Sequence, residues 1–426
     1  MRSVWTVEKL VPGGEGFARL EDGRPGFVPG AFPGDVVRPE RLVEKRELVR
    51  AESWKLVTPS PDRVTPECPI AAQCGGCDWM GLSRGAELRE KLELVREALE
   101  RTGGLRALPE LTLVTAGESL GYRARLRLHV DERGKLGLFE RHSHALVELG
   151  ACPVSDPEIN RGLSHIRELC KRHPGRFGAF TELELRSAPS DPTLGIRLTP
   201  RALPLPKQAE PLLAELEAHA AVSVPGTERA RNDVQRWNLP GGVELAAPID
   251  AFTQVNPEVN AKLVAAVVSG AEARGIKSTL ELYAGAGNFS FPLAALGIRV
   301  VAVEREGAAI RAAREASARA KVEAVEFIAG DVSKVLRGLV QRALAFDLVL
   351  LDPPRSGAKD ALVSVIRLAP QFVAMCACDP VTLARDLRVL VDAGYVPEAI
   401  TAFDMFPRTH HVEALCWLKR GPTIPG

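Results

Sequence analysis

The spacing of apolar positions changes along the chain, and each change marks a different kind of element. Over residues 1–57 short runs such as WTVEKLV, GFARL, GFVPG and ELVRAESWKLV are broken by glycines and prolines. Short strands with regular turn signals predict a small β-barrel. The stretch TPSPDRVTPE at 58–67 reads as a linker. Over 84–102, Leu88, Leu92, Val95 and Leu99 recur at helical spacing, with Ser83 as a cap and Gly103-Gly104 as the stop. Residues 121–130, GYRARLRLHV, alternate strictly, with Arg123, Arg125, Arg127 and His129 on one side and Ala124, Leu126, Leu128 and Val130 on the other. That is a strand with an apolar back and a cationic front, with no acidic neighbour expected on that face. Residues 204–240 carry no readable pattern.

From 278 onward the text is different. STLELYAG, IRVVAVE, VEFIAGD, FDLVLLDPP and QFVAMCACD are apolar throughout, and helical stretches such as EGAAIRAAREASARAK separate them. Continuous apolar strands alternating with helices predict a doubly wound parallel sheet. YVPEAITAFD and VEALCWLKR follow as two closing strands with no helix between them. The expected fold class is α/β: a small β-barrel at 1–57, a central α+β region at 58–250, and the parallel sheet at 251–426.

Composition narrows the class. At 426 residues the chain is long enough for two or three domains, and 46% hydrophobic residues exclude intrinsic disorder. No apolar run reaches the roughly 18 residues of a membrane span, and MRSVWTVEKLVPGG lacks the apolar stretch of a secretory signal. A soluble cytoplasmic protein, monomeric and without a membrane partner, is the expectation. Lys+Arg total 55 against 54 for Asp+Glu, so net charge neither suggests nor excludes nucleic acid. The arginine strand is the local candidate for an RNA surface. Eight cysteines are too few for a disulfide scaffold, but Cys68, Cys74 and Cys77 crowd together. Such a triplet points to a metal or cluster, and spacing alone leaves zinc and iron–sulfur equally open.

Candidate chemistry gathers at the strand ends. GAGNF follows the first strand of the parallel sheet, where ligands bind in such folds. The third glycine of the dinucleotide fingerprint is replaced by Ser290. Glu304, Asp331 and Asp352 end the next three strands. An acid at Glu304 suits a ribose of either NAD or S-adenosylmethionine (SAM). The run LLDPPRSGA resembles the acid-Pro-Pro signature of methyltransferases, with Arg355 next, and so favours SAM. Cys378 ends the fifth strand just before Asp379-Pro380, a clear helix start. A helix N-terminus favours a thiolate, which makes Cys378 a candidate nucleophile. Cys376 reads as core. Glu413 opens the last strand after a proline-containing loop.

Taken together, FTQVN at 252–256, ELYAGAGNFSFPLA at 281–294, LLDPPRSGA at 350–358, CDPVTLARDL at 378–387 and DMFPRTHHVE at 404–413 resemble the RNA uracil-5-methyltransferase family, in order and spacing. The resemblance implies a class I methyltransferase fold, a TRAM-type RNA-binding barrel at the N-terminus, and SAM and a [4Fe-4S] cluster as cofactors. It implies Cys378 as nucleophile and Glu413 as base. Gln254, Tyr283, Asn288, Glu304, Asp331 and Asp352 would line the SAM pocket, and Phe252, Gln254 and Asp352 would meet the uracil. Cys68, Cys74, Cys77 and Cys152 would hold the cluster. The chemistry suits these residue types. Carbon 5 of uracil is a poor nucleophile until a thiolate adds to carbon 6, and a base must then remove the carbon 5 proton. Two departures stand out: Asp379 where Asn is usual, and Ala284 where Cys is usual. The implied partner is RNA, with 23S rRNA favoured over the tRNA T-loop. The alternatives are methylation of cytosine or of an exocyclic amine, a non-catalytic RNA-binding relative, and an NAD dehydrogenase.

Overall fold

The computed structural model describes residues 4–422 apart from 142, 189, 231–233, 240, 241, 250 and 252. The N-terminal strands form a six-stranded sheet in the order Trp5–Thr6, Val36–Glu44, Val49–Thr58, Pro25–Val28, Gly16–Arg19, Lys9–Leu10. Alternate residues point to one face, so Trp5, Ala18, Val28, Val37 and Ala51 share a small core. The 58–67 stretch is fastened rather than loose. Buried Asp35 accepts the Ser60 N–H at 2.9 Å and the Arg63 guanidinium at 2.6 Å.

A second six-stranded sheet runs Leu146–Val147, Leu136–Phe139, Arg125–Val130, Phe180–Ala188, Asp191–Pro200, Ala221–Ser223. Its apolar face packs with the helices Pro157–Arg172 and Glu210–Glu217. The latter helix lies in the segment whose sequence pattern was unreadable, because only its short face of Leu212, Leu213 and Leu216 is buried. The register corrects the expectation of an unopposed cationic front. Glu184 lies opposite Arg127, and Glu182 opposite His129. Glu184 accepts from Arg127 at 3.1 Å and from Arg186 at 2.5 Å. The alternation of one strand cannot show the charges of the strand laid beside it. Arg186 and Glu184 are both buried, so removing the guanidinium weakens the pairing of a carboxylate that water cannot reach. Arg186→Met should cost about 3 kcal/mol in urea unfolding. A loss under about 1 kcal/mol, the scale of an exposed pair, would mean that Arg127 alone suffices.

The C-terminal sheet has eight strands: Val325–Ala329, Arg299–Glu304, Ser278–Leu282, Leu348–Leu351, Phe372–Ala377, Glu413–Arg420, Tyr395–Phe403, Leu111–Val114. The first five are parallel, and Glu413–Arg420 is antiparallel to both its neighbours. Leu348 and Leu350 face one helical layer, Val349 and Leu351 the other. Burial on both faces explains the unbroken apolar runs. Among the described residues no helix is long and apolar enough to cross a membrane.

Residues 84–114 fall within the 58–250 segment yet pack with this sheet. Val95, Leu99 and Leu111 join its core, and Leu111 pairs with Ile400. The helix Arg84–Glu97 continues through a wider turn at Ala98–Thr102. Its buried side is Ala86, Glu87, Lys91, Leu94 and Val95, whereas Leu88 and Leu92 are half-buried. Apolar periodicity misses that face because two of its members are charged.

Candidate active site

The carboxyl ends of the parallel strands open into a cavity of about 1530 Å³. Gln254, Tyr283, Asn288, Glu304, Asp331, Asp352, Cys378 and Glu413 all line it. Phe252 lies outside the described residues.

One wall is the glycine-containing loop. Tyr283 leaves the Ser278–Leu282 strand at a φ of 63°, a left-handed conformation that costs a non-glycine residue strain. Gly287 follows at 96°, and a β-carbon there would come within 2.7 Å of the Phe291 ring. Glu304 bridges two loops by accepting the N–H groups of Gly285 at 3.0 Å and Glu306 at 2.8 Å. Asp331 caps the helix Val332–Gln341 through the Lys334 N–H at 3.0 Å. Asn288 and Asn260 exchange amide hydrogen bonds of 2.9 Å, which ties the loop to the helix Pro257–Ala273. The 251–256 segment is held from the second sheet, where the Ala124 N–H donates to Val255 at 2.8 Å and Arg186 donates to the Ala251 carbonyl.

The opposite wall carries Cys378 and Glu413. The last pair between neighbouring strands is Ala377 with Ala414. Cys378, just past the end of its strand, and Glu413, the first residue of the neighbouring strand, therefore lie side by side, one strand away from Asp352. Glu413 is buried, and its Oε1 has no hydrogen-bond partner. Asp379 caps the helix Pro380–Asp392, accepting the Thr382 N–H at 2.7 Å, with Pro380 in the first turn. Its carboxylate thus points into the helix amides, as a capping residue's must. Asp379→Asn should leave stability nearly unchanged, and Asp379→Ala should cost about 1 kcal/mol in thermal unfolding. Equal losses would show that charge rather than capping matters at this position.

The electrostatics differ from the sequence expectation. Burial pushes the Cys378 thiol up to about 11, the Glu413 carboxylate adds to the rise, and Arg355 opposes it. A helix terminus is worth about 0.3–1 kcal/mol to a nearby charge, too little to outweigh desolvation beside carboxyl groups. Burial also raises Asp352 to about 6. Glu413 lies well above the usual carboxylate range through burial and then the Asp352 charge. In the ligand-free protein, alkylation of Cys378 by iodoacetamide should be slow at pH 7 and climb roughly tenfold per pH unit towards 11. Peptide mass spectrometry reads this site by site, and a plateau below pH 8 would contradict it. Cys376 is fully buried in the core, as expected.

Sequence reasoning passed over several groups. Asn260 had no motif to mark it. Glu281 is fully buried in an apolar strand, accepts the Ser290 hydroxyl at 2.5 Å, and is raised to about 8 by desolvation. The only signal was an acid in an otherwise apolar run. His411 approaches Arg355 at 3.5 Å, and burial lowers it to about 4.

Cys68, Cys74, Cys77 and Cys152 line a further part of the same cavity. The Gly76 N–H donates to the Cys74 sulfur at 3.3 Å. Burial, then the neighbouring Cys152, pushes Cys77 up to about 12, and Cys74 is raised mainly by burial. Among the described residues, no three His, Cys, Asp or Glu side chains are grouped as ligands of a metal ion.

The comparisons with known proteins fit this geometry. A family model described as tRNA (Uracil-5-)-methyltransferase matches residues 244–421. The chain is 32% identical over 418 residues to the 23S rRNA (uracil(1939)-C(5))-methyltransferase RlmD of Pectobacterium atrosepticum, covering 96% of this chain and 92% of that protein. It is 31% identical over 432 residues to the enzyme of the same name from Alcanivorax borkumensis, covering 97% and 96%. The crystal structure of Pyrococcus abyssi tRNA (uracil-54, C5)-methyltransferase in complex with S-adenosyl-L-homocysteine superposes with a TM-score of 0.73 at 25% identity, covering 98% of this chain and 100% of that one. At this identity over nearly the whole length of both chains, the chain belongs to the RNA uracil-5-methyltransferase family.

Proposed function

We propose that this enzyme methylates carbon 5 of a uridine in 23S rRNA through a covalent adduct on Cys378. The observation that carries the reading is the placement of Cys378 beside Glu413, facing the same cavity as the Tyr283–Asn288 loop and Asp352. The names of the relatives at 31–32% identity favour 23S rRNA over tRNA.

SAM, when bound, supplies the methyl group as an electrophile. Glu304 and Asp331 would take the ribose and base ends of that molecule, and Tyr283, Asn288 and Gln254 would flank it. The target uridine leaves its stack to enter the cavity. Phe252 and Gln254 would meet the base there, with Asp352 between the two substrates. The Cys378 thiol loses its proton to solvent, and the sulfur adds to carbon 6. The pair of electrons from the 5,6 double bond passes toward the exocyclic oxygen on carbon 4, so carbon 5 becomes nucleophilic and would take the methyl group, whose bond to the sulfonium breaks to leave S-adenosylhomocysteine. Glu413, as carboxylate, then removes the carbon 5 proton, the 5,6 double bond returns, and the carbon–sulfur bond breaks to free Cys378. In the resting protein, burial favours the thiol form of Cys378.

Cys68, Cys74, Cys77 and Cys152 would hold a [4Fe-4S] cluster with a structural role, since the methyl transfer moves no electron. The family resemblance and the charge influence of Cys152 on both Cys74 and Cys77 support this reading, although the described side chains are not grouped as a ligand set. The N-terminal six-stranded sheet would serve as the TRAM-type RNA-binding barrel. The direct test incubates the enzyme with methyl-labelled SAM and transcripts of 23S rRNA or tRNA, then separates the nucleosides. Labelled 5-methyluridine from 23S rRNA alone is the expected result. Label in tRNA alone would move the target to the T-loop, and label in cytidine would overturn the reading.

A further inference from the structure

The loop 404–412 lies between Phe403 and Glu413, which pair across neighbouring strands. Phe406, Thr409 and His411 line the active-site cavity beside Glu413. The other side of this loop is held by an ionic cluster that no step of the mechanism uses, buried at Glu87, Lys91, Asp404 and Arg408 and reaching the surface at Arg84 and Glu67. Lys91, on the helix Arg84–Glu97, has a fully buried side chain. Its ammonium pairs with Asp404, lies 3.2 Å from Glu87 and donates to the Phe406 carbonyl at 2.9 Å. Arg84 also pairs with Asp404, and with Glu87 at 2.9 Å. Glu87 accepts the Arg408 N–H at 2.7 Å, and the Arg408 guanidinium meets Glu67 at 2.5 Å. Arg408 adopts a φ of 68°, so the loop bends sharply there and depends on its surroundings to stay bent. The cysteine-rich stretch grips the same turn: the Trp79 N–H donates to the Arg408 carbonyl at 3.1 Å, and Asp78 pairs with His410 at 2.6 Å.

Within the cluster Arg84, Lys91 and Arg408 face Glu67, Glu87 and Asp404, so the charges balance. Buried ion pairs are weak sources of net stability, yet breaking one is costly, and their hydrogen bonds fix a single geometry. Apolar contacts would hold the loop too, but they tolerate sliding. An ammonium bound to a carboxylate and a carbonyl of the same loop does not. The cofactor loop and Cys378 stand on other elements, so this anchor acts on one side of the cavity only.

The geometry points to Lys91 as a positioning residue that anchors the 404–412 loop and thereby sets the wall against which the target uracil meets Cys378 and Glu413. The inference rests on the proposed reaction. Its test uses the full-length enzyme and a 23S rRNA fragment substituted with 5-fluorouridine, in which the adduct cannot resolve because fluorine does not leave as a proton does. Lys91→Met, Asp404→Asn and the double variant are compared for SAM affinity by calorimetry and for the rate of adduct formation at saturating SAM. The expected result is SAM affinity within about twofold of wild type, adduct formation slowed tenfold or more in each single variant, and a double variant no slower than the slower single, because the two residues act through one contact. Should Lys91→Met fail to fold, Asp404→Asn alone carries the comparison by the same criteria. Wild-type adduct rates in the folded variants would overturn the inference. So would SAM affinity falling in step with adduct rate, which marks a general structural role. If wild-type enzyme forms no adduct, the proposed reaction fails and the inference with it. If wild type does and the variants do equally, only the inference fails.

Discussion

Glu413→Gln should leave RNA covalently attached to the enzyme. An amide of the same shape fills the buried position but cannot take the carbon 5 proton, so the methylated adduct forms and then stalls. Turnover should fall by about 10²–10⁴-fold, the usual contribution of a positioned base. A band resistant to denaturing electrophoresis should appear with ordinary uridine RNA. Addition itself should not slow. When ionised, Glu413 adds to the rise of the Cys378 thiol, and the amide carries no such charge. The same loss of turnover without an accumulated adduct would place Glu413 before the addition step instead.

Cys378→Ala should abolish methyl transfer and adduct formation together. SAM affinity should stay within about twofold, because Tyr283, Glu304 and Asp331 stand on other strands and their hydrogen bonds do not involve Cys378. Removing a nucleophile that forms a covalent intermediate closes that path rather than slowing it. Equilibrium binding of labelled SAM and incorporation of its methyl group into RNA read the two effects separately. Several per cent of turnover surviving in Cys378→Ala would argue for direct attack by carbon 5 and against covalent catalysis.

The C-terminal sheet was legible because burial on both faces writes itself as unbroken apolar runs, and because acids and glycines at strand ends stand out against them. Asp379 as a cap was legible for a similar reason: capping is local chemistry, settled within a few residues. What escaped was non-local. Arg127 looked unopposed until Glu184 was laid beside it across the sheet. Lys91 and Glu87 stand outside the apolar stripe of Leu88, Leu92, Val95 and Leu99, yet they are buried, because their partners lie more than 300 residues away at Asp404 and Arg408. The Cys378 thiol was expected to be lowered by its helix, and its burial beside Glu413 reverses the sign. Each miss has the same physical source: a charge is judged from its neighbours in space, and the sequence lists only its neighbours along the chain. The 84–114 segment shows the same limit for packing, since nothing local announces that Leu111–Val114 extends a sheet whose other strands begin at residue 278.

In the proposed reaction Cys378 bonds to the uracil during methyl transfer. Wild-type enzyme incubated with SAM and 5-fluorouridine-substituted 23S rRNA fragments, digested with nuclease and protease and examined by mass spectrometry, tests it most directly. The peptide containing Cys378 should carry a nucleotide of 5-fluorouridine plus one methyl group, formed only when SAM is present. Methylated RNA with no nucleotide attached to Cys378, or a nucleotide attached to a different cysteine, would contradict it.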